Sequence, residues 1–175
     1  MGTANQVYKN PKPGQPLISV ICSAWKTPTL KVKFSNLVNP YYYKNSPKIP
    51  RYSITCTMDP AVNSDFIKTL KNIEKKEGVD TILKFDTVKE KGDYINTGLV
   101  IIKFQTKDII PVYLGEKGKP FPEKPTQIEL QDELGEGEEV VVVYDILRYT
   151  KKNTAAPEHG LSFKASCIYF YPKEE

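Results

Sequence analysis

Cations and aromatic residues are interleaved at four places in this chain of 175 residues. The first is Lys31-Val32-Lys33-Phe34. The second is Tyr41-Tyr42-Tyr43-Lys44, continuing to Lys48 and Arg51-Tyr52. The third is Arg148-Tyr149 with Lys151 and Lys152, and a weaker fourth is Lys103-Phe104. An aromatic ring offers a flat face for stacking, and a neighbouring cation holds an anionic group. Together they suit a ligand with planar rings on a charged backbone, the description of a single nucleic-acid strand. Stacking a base on an aromatic side chain contributes about 1–3 kcal/mol and tolerates any sequence.

Each aromatic also has a plainer use. Phe34 is in phase with Leu30 and Val32, so core and ligand-facing roles are equally open. Tyr52 shares a face with Ile54 and reads as core, and Trp25 reads as core or rim. The tyrosine triplet is different. In a polar segment bounded by prolines, three consecutive rings do not all reach one core, so at least one faces outward, toward a base or a protein partner.

Charge distribution points the same way. From Met1 to Met58 there is no Asp or Glu, while Lys9, Lys12, Lys26, Lys31, Lys33, Lys44, Lys48 and Arg51 give +8. The rest carries 17 − 21 = −4, for a net charge of +4. A basic field of this kind concentrates polyanions. A second stretch, between Asp145 and Glu158, also lacks acids. Glu129, Asp132, Glu133, Glu136, Glu138 and Glu139 follow one another with no cation between them. That run is excluded from a phosphate surface. It reads as a solvated loop or as a face for a partner, including the basic half of a neighbouring copy.

Catalytic chemistry is poorly supplied. His159 is the only histidine and sits in the turn-like Pro157-Glu158-His159-Gly160. No nucleophile elbow, phosphate-binding loop, HExxH or EF-hand loop occurs. Asp86, Asp93 and Asp108 are carboxylates of the type that holds Mg²⁺ in nucleases, but their irregular spacing favours solvation. The cysteines Cys22, Cys56 and Cys167 are odd in number and far apart, which argues against disulfides or zinc and for small buried residues in a reducing compartment. Neither a cofactor, a metal nor an enzymatic activity is expected. With no apolar run of membrane-spanning length and no apolar signal core near the N-terminus, the expected location is the cytoplasm.

The elements that must position these residues read as mostly β. Residues 1–16 read as a flexible N-terminal arm, 17–172 as one domain and 173–175 as a short acidic end. Strands are expected over 17–25, 29–35, 52–58, 98–106, 138–150 and 160–171, with shorter ones near 82–85, 108–114 and 127–130. Residues 36–50 read as a loop, and 79–97 as mixed and charged. One helix is expected at about 60–77, capped by Asp59, with Pro60 in its first turn and Gly78 as its stop. Five or more strands with one inserted helix fit an OB-like five-stranded barrel elaborated by extra loops and strands.

The pattern resembles the OB-fold single-stranded-DNA-binding proteins of tailed bacteriophages. The resemblance is carried by Phe34-Ser35-Asn36-Leu37-Val38-Asn39-Pro40, by Pro50-Arg51-Tyr52-Ser53-Ile54, and by the helix with Phe66, Ile67 and Leu70. Gly137-Glu138-Glu139-Val140-Val141-Val142-Val143-Tyr144 with Tyr149, and Gly160-Leu161-Ser162-Phe163-Lys164-Ala165, complete it. Glu138 stands where the family has a small polar residue. The resemblance implies a protein that coats and protects single-stranded DNA in replication, recombination and repair, without sequence preference. It implies partners among replication and recombination proteins, and self-association on DNA. Many members end in an acidic tail that recruits replication enzymes, whereas this sequence ends Pro172-Lys173-Glu174-Glu175. From the residues alone, two other readings stand beside it: an RNA-binding OB module, and an assembly protein using the tyrosine segment and the acidic stretch.

Overall fold

In the computed structural model, residues 6–7, 17–79, 83–115, 126–151 and 158–172 are described. Among them are ten strands and one helix. β1 is Gln6–Val7, β2 Leu17–Lys26, β3 Leu30–Tyr43, β4 Ser46–Met58, β5 Lys84–Glu90 and β6 Asp93–Thr106. β7 is Val112–Leu114, β8 Thr126–Ile128, β9 Glu139–Lys151 and β10 Glu158–Tyr171, and α1 spans Ser64–Glu77. Residues 1–5, 8–16 and 173–175, which include most of the expected arm and the acidic end, lie outside the described residues. Within the arm, Gln6–Val7 pairs antiparallel with β2.

Five strands close on themselves in the order β3-β4-β6-β10-β9 and back to β3. β6 and β10 run parallel, and the other neighbours in this ring are antiparallel. Numbered along the chain, the ring reads 1-2-3-5-4, the OB-like barrel that the strand pattern predicts. Closure leaves no free edge within the ring. β2 with β1 extends the sheet beside β9, β7 with β8 beside β10, and β5 pairs with the first half of β6.

Alternation fills the barrel. Ile54, Cys56 and Met58 of β4, Ile102 and Phe104 of β6, Val140, Val142, Tyr144 and Ile146 of β9 and Ile168 of β10 are all at most 2% exposed. Phe104 sits at the centre, its ring 5.1 Å from that of Tyr144 and 5.9 Å from that of Phe163. Burial pushes the Cys56 thiol up to about 12, so it stays a neutral, inert filler. Cys22, Cys56 and Cys167 are all free thiols.

The helix starts later than its sequence signals suggest. Asp59 accepts a hydrogen bond from the Ala61 amide (2.9 Å) and its carbonyl accepts from Val62 and Asn63, closing a turn; the helix begins only at Ser64, after Asn63. Proline at position 60 thus serves the turn rather than the helix. Gly78 ends the helix as expected, at φ 66°, in the left-handed region that glycine adopts without strain. Ile67 and Leu70 turn into the core, with Phe66 and Ile73 packed against it.

Two other segments differ from their sequence reading. Residues 36–50 form no loop: β3 runs on to Tyr43, a two-residue turn follows at Lys44 and Asn45, and β4 starts at Ser46. Prolines 40, 47 and 50 are accommodated because the ladder is irregular there, with register shifts between Asn36 and Tyr41 and between Tyr41 and Tyr43. The mixed segment holds a second hairpin, β5 with the first half of β6. Its residues are exposed on both faces apart from Asp86, so no alternation marked it.

Candidate nucleic-acid interface

Between Asn36 and Tyr41, β3 carries more residues than the stretch of β4 it pairs with. Asn36 lies opposite Ser53 and Tyr41 opposite Arg51, so five steps on β3 match two on β4. The surplus bulges out, and its amides leave the ladder. One side chain takes them up. The Glu133 carboxylate accepts from the amides of Leu37, Val38 (2.9 Å) and Asn39 (2.7 Å), and Ser35 Oγ donates to the same carboxylate (3.1 Å). Asn36 Nδ2 closes the bulge by donating to the Asn39 carbonyl at 3.1 Å.

The strand leaves this bulge with Tyr41 and Tyr43 on one side and Tyr42 on the other. Their hydroxyls both donate to Gln105 Oε1 of β6, at 2.9 and 3.3 Å, and the two rings meet edge to face at 5.4 Å. Lys103 Nζ lies 4.7 Å from the Tyr41 ring centre, and the Arg51 guanidinium 5.3 Å from that of Tyr43. Hydrogen bonding to Tyr41, with burial behind it, pushes the Tyr43 hydroxyl above its ordinary value, so it remains a neutral donor at physiological pH. Tyr42 points outward and is 54% exposed.

Tyr43 and Arg51 line an open cleft of about 800 Å³; Tyr41 does not line it but touches Gln105 and Lys103, which do. β6 supplies Lys103 and Gln105, Lys107 follows just past its end, β9 brings Tyr149, and β10 brings Lys164. Among the described residues, four cations, Arg51, Lys103, Lys107 and Lys164, line the cleft with one acid, Asp108. Arg51 Nη1 is buried with no hydrogen-bond partner among the described residues. Tyr149 stands directly opposite Gly160 across the β9–β10 ladder. A Cβ built on Gly160 would fall 2.3 Å from the Tyr149 ring. The missing side chain is what lets the ring lie flat over β10.

The cleft therefore unites residues from three of the four sequence patches: Tyr43 and Arg51, then Lys103, then Tyr149. Lys44 and Lys48 are exposed on the same hairpin. Lys31 is exposed on β3 opposite Thr57, and Phe34, 51% exposed, lies opposite Thr55 on the outer side of the sheet rather than in the core. Lys33 is paired with Asp86. Lys151 ends β9, and Lys152 lies outside the described residues.

Two candidates need correction. Phe104 is 0% exposed and belongs to the barrel core, because it alternates with Lys103 and cannot share its face. Arg148 alternates with Tyr149 in the same way. It turns from the cleft to the end of α1, with Nε 3.3 Å from a Glu77 carboxylate oxygen, and anchors the helix to β9. Asp86, a carboxylate of the metal-binding type, is committed to Lys33 and to Thr97 Oγ1 (3.1 Å).

Sequence reasoning missed Gln105, Lys107, Lys164 and Glu133. The first two were readable: positions 103 and 105 share one face of β6, and 107 follows at the same spacing just past the strand's end. Lys164 alternates likewise between Phe163 and Ala165. Glu133 bonds to residues more than 90 positions away, and no local pattern announces that.

No protein-family model and no curated protein matches the sequence. Solved structures do. A "single-stranded DNA-binding protein from bacteriophage Enc34 in complex with ssDNA" superposes with a TM-score of 0.54 at 14% identity, covering 98% of each chain. A C-terminal truncation of the Enc34 protein gives 0.54 at 14% over 97% of each chain. The gp2.5 single-stranded DNA binding protein encoded by bacteriophage T7 gives 0.50 at 16% over 88% of each. Likeness across nearly the whole length, at so low an identity, is likeness of architecture, and the chain is an OB-like barrel built on the plan of these phage proteins.

Proposed function

We propose that this chain binds single-stranded DNA without sequence preference, holding bases on tyrosines and the backbone on lysine and arginine. One observation carries the reading: residues far apart in sequence bring stacking rings and four cations into a single open cleft on the barrel. In this topology, oligonucleotides lie on strands two and three, between the connections joining strands one to two and four to five. Here those strands are β4 and β6, which supply Arg51, Lys103 and Gln105. The first connection is the turn after Tyr43, and the second follows Lys151. An open cleft suits a continuous strand better than a compact ligand. The related barrel bound to single-stranded DNA supports the same reading.

The biological task in this reading is coating and protecting exposed strands in phage replication and recombination, by binding and not by catalysis. The working set is Tyr41, Tyr43, Arg51, Lys103, Lys107, Tyr149 and Lys164, extended by Tyr42, Lys44 and Lys48 on the hairpin and Lys31 and Phe34 along β3. The test is an anisotropy titration with oligo-dT, oligo-U and duplex DNA at two salt concentrations. Oligo-dT is expected to bind most tightly, with affinity falling steeply as salt rises. Equal affinity for duplex sinks the proposal, and preference for oligo-U moves the ligand to RNA.

A further inference from the structure

Backbone amides released from a ladder must find other partners, and buried ones without them are costly. In the β3 bulge the partner is one carboxylate. Glu133 gathers three consecutive amides, Leu37, Val38 and Asn39, and takes the Ser35 hydroxyl as well. Ser35 Oγ in turn accepts from the Leu134 amide at 3.1 Å, so the link runs both ways. Leu37 is 6% exposed and pins the bulge to the core. Two residues past this clamp, Tyr41 bonds to Gln105 at the cleft's side, and Tyr43 follows into the cleft itself. The bulge decides which β3 residues face β6, and a slip of one residue would present Tyr42 in their place.

We propose that Glu133 is a positioning residue for DNA binding: its carboxylate fixes the bulge and so sets Tyr43 in the cleft, with Tyr41 packed beside it. This rests on the single-stranded-DNA reading above. It also makes an acid from the most acidic part of the chain necessary for holding a polyanion.

That conflict of signs gives the test. Removing a negative charge from a protein that binds DNA should tighten binding by electrostatics alone. Positioning requires the reverse. Glu133→Gln keeps the shape but puts an amide donor against amide donors, and its affinity for oligo-dT should fall about tenfold, the scale of losing a charge-assisted hydrogen bond. The same substitution in a chain carrying Tyr41→Ala and Tyr43→Ala should cost almost nothing further. Ring-proton shifts of Tyr41 and Tyr43, recorded without DNA, should move in Glu133→Gln. Glu133→Asp, which retains the charge and retracts the carboxylate, gives the same readouts where Glu133→Gln does not fold.

Unchanged or tighter binding by Glu133→Gln overturns the inference, as does an equal loss in the tyrosine-free background or unmoved ring shifts. If wild-type protein shows no preference for oligo-dT over duplex while the ring shifts move, the clamp stands and the DNA reading falls.

Discussion

Two long hairpins extend this barrel, and they are held in different ways. The β3–β4 hairpin is tied back at each step: Glu133 holds its bulge, Gln105 takes both tyrosine hydroxyls, and Lys103 and Arg51 lie over the rings. The β5–β6 hairpin is exposed on both faces, with Phe85 63%, Val88 46%, Tyr94 75% and Ile95 44% exposed. Its ties lie near its base, where Asp86 meets Lys33 and Thr97. Both ribbons carry rings and lysines, so composition does not separate them. What separates them is pre-organisation. A ring already fixed at a cleft loses little entropy when a base stacks on it, whereas a free ring must be ordered by the ligand.

The sharpest way to break that comparison is to remove rings from each hairpin's setting. Tyr43→Ala with Tyr149→Ala should weaken oligo-dT binding by roughly 30-fold or more, because each stacked base contributes about 1–3 kcal/mol. Phe85→Ala with Tyr94→Ala should change it less than about twofold, within the range of surface substitutions. Titrations of the two double variants against wild type decide it. Similar losses in both would show that fixing the rings does not matter.

A second prediction concerns how the cleft's other tyrosine is held. Gly160→Ala places a Cβ where the Tyr149 ring lies, so the ring must swing away. Overpacking of this kind costs about 1–3 kcal/mol, to be read as a lower midpoint in urea. Oligo-dT affinity should fall with it. Adding Tyr149→Ala should restore much of the stability and none of the affinity. Recovery of both would mean that the ring has no part in binding.

These distinctions explain what the sequence makes legible. Residues 52–58 and 161–165 alternate apolar with polar side chains, and Val140–Val143 is an unbroken apolar run; burial in the barrel is what writes both patterns into a strand. The same logic, applied one residue further, separates Lys103 from Phe104 and Tyr149 from Arg148, pairs that a cation-next-to-aromatic motif treats as units. The β5–β6 hairpin is silent because neither face is buried. The prolines of 36–50 resemble loop punctuation until the bulge that accommodates them is seen. The types of residue in the cleft could be read, but their assembly could not. It depends on the barrel's closure and on Glu133, whose amide partners are more than 90 positions away.

Salt dependence sharpens the comparison further, with a smaller effect. Replacing Lys103 by Ala should lower the slope of log affinity against log salt by about one unit, as one phosphate contact is lost. Lys107→Ala and Lys164→Ala should each do the same if the strand spans the cleft. Lys89→Ala, an equal loss of charge on the exposed hairpin, should leave the slope unchanged. A matching change there would place DNA across both ribbons.

The smallest effect is expected at the tip of the second hairpin. Lys91 and Gly92 have φ 50° and 86°, the left-handed pair of a tight two-residue turn. Glycine adopts that conformation freely, but lysine does so with strain, which asparagine relieves. Lys91→Asn should therefore stabilise the protein by about 0.5 kcal/mol, and for a domain of this size that raises the melting temperature by about 1–2 °C. Oligo-dT affinity should stay within experimental error. The first hairpin has no positive φ at Lys44 or Asn45, so nothing equivalent is gained by changing its turn. If Lys91→Asn raised the melting temperature and tightened binding together, the exposed hairpin would have to reach the strand, and the distinction between a fixed ribbon and a free one would no longer hold.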